Sequence, residues 1–256
     1  MSEHFDLRLL LDRWPYDPSD NVRIVRGADG RPILQVRLAL GIEQYELEGR
    51  PDGQKPYGKE TALDYHLERL AKAKSSGQAA AFELSPSDCA ELFDEGTLFY
   101  YRYLHLFQAK DWRRTMRDTE RNLRLFDFVR QHAQRPADQE HLEKWRPYLL
   151  RMNAAARAML ELTRADYSGS LRIVQAAIEQ IESLPEREEE AFLLERQRSL
   201  EALRDLATQI EQNRPLSELE RLERELQQAV AAQKFERAAV LRDLIRELRK
   251  RERQPG

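Results

Sequence analysis

The period of hydrophobic and polar positions changes once along this chain, near residue 60. Before that point Leu34, Val36, Leu38 and Leu40 alternate with Gln35, Arg37 and Ala39, the period of a half-buried strand. Residues 22–26 precede this run across Gly27-Ala28-Asp29-Gly30, which predicts a β-hairpin. Residues 42–47 predict a third strand, with Gly41 as the bend. Arg50-Pro51-Asp52-Gly53 reads as a tight turn, proline presetting φ at its second position. Six of the ten glycines (27, 30, 41, 49, 53 and 58) lie in this first segment, where they punctuate turns.

From residue 60 the spacing is helical. Leu63, His66, Leu67 and Leu70 share one face, and Gly77 stops that helix. Ser85 caps the next helix, with Pro86 in its first turn, and Phe93, Phe99, Tyr100, Tyr101, Tyr103 and Phe107 follow. Asp111 breaks this run and caps a helix over 112–132. Helical spacing continues over 138–146, is kinked or restarted at Pro147, and runs again over 148–164. Asp166 caps a helix over 167–183, and Pro185 ends it. A long charged helix over 188–212 carries Phe192, Leu200, Leu203, Leu206 and Ile210 as its apolar stripe.

Three turns in this helical part resemble one another. Asp111-Trp112 with Thr115, Asp166-Tyr167 with Ser170, and Lys234-Phe235 with Ala238 each place an aromatic residue three positions before a small one. An aromatic wedge with a small residue opposite is a device of tetratricopeptide-like helical hairpins. Any helical hairpin also needs a wedge, and the unequal spacings do not make a regular array.

A chain of 256 residues allows one large domain or two small ones. Charged residues at 34% against 41% hydrophobic suit helices with well-solvated faces. A formal net charge of -3 does not suggest electrostatic capture of nucleic acid, although it leaves room for a local basic patch. One cysteine, Cys89, permits neither an internal disulfide nor a cysteine zinc cluster. The N-terminus carries acids where a secretory signal carries bases, and no stretch is apolar for long enough to span a bilayer. The expectation is a cytoplasmic protein.

The chemistry is sparse. There is no Gly-x-x-x-x-Gly-Lys-Ser/Thr loop and no Gly-x-Gly-x-x-Gly. None of His4, His66, His105, His132 and His141 is paired at the spacing of three or four that puts metal ligands on one helix face. The acidic run Glu186, Glu188, Glu189, Glu190 suits a solvated helix start. The aromatic stripe from Phe99 to Trp112 could stack on bases, but burial between helices explains it better. The one candidate ligand loop is Arg50 with Asp52, since a turn explains Pro51 and Gly53 but not Arg50. The expectation is a non-catalytic chain without cofactor or metal.

The C-terminal segment is the most informative. Arg214-Pro215 breaks the long helix, and Ser217 with Glu220 forms a capping box. Leu219, Leu222, Leu226 and Ala229 follow at spacings of three and four. After Gln233-Lys234, a second helix repeats the pattern with Ala238, Leu241, Ile245 and Leu248. Each stripe is narrow, like a coiled-coil seam, and the short turn makes the helices antiparallel. So short a pair cannot fold stably alone.

Leu222, Leu226, Ala229-Val230, Phe235-Glu236, Ala238-Ala239, Leu241-Arg242-Asp243, Ile245-Arg246 and Leu248 resemble the UvrB/UvrC (UVR) motif nearly position by position. The resemblance implies a module for protein association. It pairs UvrB with UvrC in nucleotide excision repair, and also occurs in Clp-type unfoldases and in activators of protein-arginine kinases. It further implies that Phe235 sits at the hairpin tip and enters a partner's groove, with Leu222, Leu226, Val230, Glu236, Leu241, Arg242 and Ile245 around it. The helicase loop of UvrB, a UvrC nuclease signature and the activators' Cys-x-x-Cys pairs are all missing here. In the N-terminal part, Leu34-Gln35-Val36-Arg37, Gly49-Arg50-Pro51-Asp52-Gly53 and Leu63-Asp64-Tyr65 resemble a group of bacterial UVR-motif proteins, a likeness that brings no mechanism with it.

The sequence therefore predicts an α+β, mostly α protein. A β element over 1–58 is followed by helical hairpins over 59–212 and a UVR hairpin over 213–256. The expected function is an adaptor that binds a protein, or a second copy of itself, through residues 217–250. The alternatives are a DNA-repair accessory that touches nucleic acid through the basic end (Arg246, Arg249, Lys250, Arg251, Arg253) or meets UvrB/UvrC-type partners, and a regulator of a Clp-type protease or a protein kinase.

Overall fold

The computed structural model describes residues 6–216 and 218–252, with side chains to residue 249. Ser217, read above as a cap, and Arg253 lie outside the described residues, as do the side chains of Lys250 and Arg251.

Three strands, β1 (Val22–Arg26), β2 (Pro32–Leu38) and β3 (Gly41–Glu46), form an antiparallel sheet in sequence order. Ile24 lies opposite Leu34, and Leu34 opposite Tyr45. The alternation misleads at its end. Leu38 pairs with Gly41, so Ala39 and Leu40 form the two-residue turn and Gly41 opens β3 instead of bending it. Leu40 is consequently 92% exposed, while Leu34 and Val36 are fully buried. Their face packs with Tyr45 and Leu47 against Leu106 of the helical body. A short helix not foreseen from the sequence, α1 (Arg8–Arg13), precedes the sheet and buries none of its residues.

The helices follow as α2 (Ala62–Ser75), α3 (Pro86–Gln108), α4 (Trp112–His132), α5 (Pro136–His141), α6 (Arg146–Leu162), α7 (Tyr167–Glu182), α8 (Glu190–Asn213), α9 (Glu218–Ala231) and α10 (Phe235–Glu252). The segment read as helical over 138–146 is divided between α5 and a 3-10 turn, Glu143–Trp145. Pro147 stands in the first turn of α6, where a missing N–H costs nothing. Ser85 forms a full capping box with Asp88 at the start of α3. Consecutive long helices pack on one another: α3 on α4, α4 on α6, α6 on α7, and α9 on α10. The core of the body joins Leu63 of α2, Leu92 and Tyr103 of α3, Leu125 and Val129 of α4, and Leu149 of α6.

The three similar turns share one backbone geometry. Lys110, Ala165 and Gln233 all adopt left-handed φ, at 59°, 58° and 55°. The next residue's N–H reaches back five positions each time: Asp111 to Leu106, Asp166 to Glu161, Lys234 to Ala229, at 2.9, 3.1 and 2.8 Å. This is the Schellman pattern of helix ends. Asp111 and Asp166 then cap the following helices through the N–H groups of Arg114 and Gly169. Thr115 and Ser170 are fully buried and Ala238 is 8% exposed, so each small residue lies in a helix contact.

The chain divides into two compact units, Met1–Gln209 and Ile210–Gly256, the division falling in the last turn of α8. The β element is grouped with the helical body in the first unit. Arginines of the body supply the reason. Arg102 on α3 donates to the carbonyls of Glu46 and Gly49 at 2.8 and 2.9 Å, and Arg117 on α4 donates to Leu47 at 2.6 Å. No helix among the described residues is long and apolar enough to cross a membrane.

Candidate functional site: the C-terminal hairpin

Within the hairpin, Ala229, Ala238 and Leu241 form a buried cluster, with Leu222 and Leu226 packed against it. The alanines at the tip let the helices approach closely there. Flanking ion pairs clasp them: Arg237 with Glu225 at 3.4 Å and Arg249 with Glu223 at 2.5 Å. Both pairs are solvent-exposed and contribute little net stability, about 0–1 kcal/mol each.

The residues singled out from the sequence thus separate into two sets. Leu222, Leu226 and Leu241 are committed to the hairpin's own seam, and Ile245 is also buried. Val230 (52%), Phe235 (68%), Glu236 and Arg242 are exposed. Arg242 turns to its neighbour Asp243, donating at 3.1 Å. Val240 and Leu244, at 61% and 47% exposure, add to the exposed apolar surface of α10 and were not singled out. Their spacing of four, each one position before a buried residue (Leu241 and Ile245), was the signal available.

Phe235 occupies the turn position of Trp112 and Tyr167, yet it does not wedge. Trp112 and Tyr167 are half-buried, and Trp112 meets Phe107 edge-on at 5.1 Å. Phe235 has no such ring partner among the described residues and remains mostly in solvent. Of the basic end, Arg249 is engaged by Glu223.

The Arg50–Asp52 loop closes on itself. Arg50 Nε donates to both carboxylate oxygens of Asp52 at 3.0 and 3.1 Å, and Asp52 accepts the Gln54 N–H at 3.1 Å. Gly53 takes φ +73° and donates to Arg50 O at 2.9 Å, closing the turn. Arg50 also reaches Glu95 at 3.5 Å, the contact the turn alone did not explain.

That contact leads to a buried polar network that sequence reading missed. Glu95, on α3, is fully buried and accepts the first N–H groups of α2, from Ala62 at 2.7 Å and Leu63 at 3.1 Å. Arg121 on α4 also donates to it. Burial lowers the Arg121 guanidinium to about 10, while Glu95 opposes the shift, so it remains charged at neutral pH. Arg102 and Arg121 lie over the ring of Phe99, 4.6 and 4.0 Å from its centroid. A signal existed: Arg102 falls three positions after Phe99 and four before Leu106, on the apolar stripe of its helix. These groups are committed to one another and hold elements in place.

Cys89 is fully buried, and desolvation pushes its thiol up to about 11, which makes it a poor nucleophile. Among the described residues, no three His, Cys, Asp or Glu side chains gather as a metal site.

No curated protein and no solved structure matches the chain significantly. One family model, described as the UvrB/uvrC motif, matches residues 217–251, the span of α9 and most of α10. The antiparallel hairpin of α9 and α10 thus matches the UvrB/uvrC motif, which suggests a role in interaction with protein or DNA.

Proposed function

We propose that this protein is a non-catalytic adaptor that binds a protein partner through the exposed apolar residues of its UVR hairpin. The observation that carries this reading is the position of Phe235. Of the aromatics that follow the three similar turns, Trp112 and Tyr167 are half-buried and Phe235 is left 68% exposed. Val230, Val240 and Leu244 are exposed in the same hairpin and add apolar surface, while aromatic residues such as Phe235 are enriched at interfaces. Glu236 and Arg242 supply charges for the rim. The reading places the protein in the cytoplasm.

The test is capture of interacting proteins from the native cell with the full chain and with Phe235→Ala. Loss of a specific protein on substitution, with helical circular dichroism unchanged, supports the adaptor. Recovery of the same proteins in equal amount by both forms sinks it. A DNA-binding reading is less well supported, because Arg249 of the basic end is already paired within the hairpin.

A further inference from the structure

A cavity of about 360 Å³ opens between α3, α4, α6 and α8 in the first unit. Its walls include Tyr100, Tyr103, Phe126, Trp145 and Tyr148, and the one charged residue lining it is Glu195. Tyr103 and Phe126 are buried at 3% and 7%, and Trp145, at 44%, stands at the exposed rim. Tyr100 contacts Tyr103 edge-on with centroids 5.6 Å apart and lies 5.9 Å from Tyr148, so the rings enclose the space from more than one side.

Glu195 is the unexplained member. Its Oε1 lies 3.5 Å from Arg198, a residue whose own side chain is 59% exposed. Its Oε2 is buried and has no hydrogen-bond partner. A carboxylate oxygen held out of water without a donor is costly, and such an atom calls for an explanation. Aromatic faces carry negative quadrupole density, and a ring-lined box around a carboxylate is a favourable environment for an organic cation. A neutral aromatic ligand without a donor would cover the rings but leave the carboxylate unpaired, and a nucleobase could donate an N–H to it but would leave its charge unneutralised. A divalent metal ion would find a single carboxylate here and no second anionic ligand in the lining. The volume is in the range of small-molecule sites, about 300–1,000 Å³.

We infer that this cavity is a binding site for an alkylammonium group, with Glu195 as counter-ion and Tyr100, Trp145 and Tyr148 as cation–π walls. The group could belong to a free amine or to a methylated lysine side chain, since both present the same cation. The site is independent of the C-terminal hairpin, so its failure or success is separate from that of the adaptor reading.

The test is titration calorimetry on the full chain with three probes: choline, its uncharged isostere 3,3-dimethylbutan-1-ol, and Nα-acetyl-Nε-trimethyllysine methylamide. Saturable binding of choline or the lysine derivative, with the isostere at least about tenfold weaker, is the expected result. The tighter of the two cations assigns the source. Glu195→Gln, which keeps shape and removes charge, should weaken the cation about tenfold. Trp145→Leu, at the rim, should weaken it as well without lowering the unfolding temperature. Equal binding of the isostere and choline by the unaltered protein, no saturable binding of either cation at millimolar concentration, or undiminished binding by folded Glu195→Gln would each overturn the inference. The isostere comparison needs no variant, so it stands even if a substituted chain fails to fold.

Discussion

Arg102 on α3 grips Asp118 on α4 with two parallel hydrogen bonds, 2.7 Å from Nε and 2.9 Å from the second terminal nitrogen, both side chains 1% exposed. Its remaining nitrogen holds the carbonyls of Glu46 and Gly49, where the chain leaves the sheet. One guanidinium thus ties the β element, α3 and α4 together. A desolvated pair of this kind adds little over a well-packed apolar pair, but losing one partner strands a charge. Asp118→Asn should therefore cost about 3–5 kcal/mol. The expected readout in urea is a lower midpoint with unchanged slope. A loss below 1 kcal/mol would show that water reaches the pair.

The left-handed residues of the repeated turn make a second expectation. Lys110 and Ala165 carry φ of 59° and 58° with a side chain in place, a conformation that glycine adopts without penalty. Lys110→Gly and Ala165→Gly should each stabilise by about 0.5–1 kcal/mol, after the greater freedom of glycine in the unfolded chain is subtracted. Thermal unfolding measures this, and a lower midpoint in both variants would contradict the shared turn geometry.

Acid sensitivity should follow from buried histidine. Burial lowers His66 below its ordinary 6.5, and Arg69 adds to that, while Asp88 and Glu91 oppose it. His105 and His132 are lowered by burial too. A depressed histidine binds its proton more readily unfolded than folded. Stability is therefore full above about pH 6.5 and declines as pH falls below it, before the carboxylates titrate near about pH 4. Unfolding temperatures measured from pH 7.5 down to 5 should decline, and His66→Gln should flatten part of that slope. An unchanged slope in the variant would remove His66 from the explanation.

Stability and binding should separate within the hairpin. Leu241 is 5% exposed and packs in the seam, whereas Phe235 is 68% exposed. Leu241→Ala should destabilise the hairpin by about 2–3 kcal/mol, seen as earlier loss of helical signal on heating. Phe235→Ala should stay within about 0.5 kcal/mol of the parent. A comparable loss from both would mean that Phe235 is structural.

The UVR hairpin was legible because its information is local: two narrow stripes, a short turn and a motif within 35 residues matched by the family model. The caps at Ser85, Asp111 and Asp166 were legible for the same reason, since a side chain three residues from the N–H that donates to it depends on nothing distant. Leu40 was misread because alternation cannot tell the end of a strand from the start of its turn. The Glu95 network was missed because its partners, Ala62 and Arg121, are 33 and 26 residues away in sequence.

By itself the sequence determined the antiparallel hairpins, their capped ends and the UVR motif, all of them products of backbone preference and side-chain period over a few residues. Tertiary packing alone decided which aromatics are buried and which remain free. Trp112, Tyr167 and Phe235 occupy one local geometry, and only the neighbours each finds, or lacks, distinguish a wedge from a contact surface. The same packing placed Glu195 beside the tyrosines of α3 and α6, because the faces of separate helices meet only when the chain is folded.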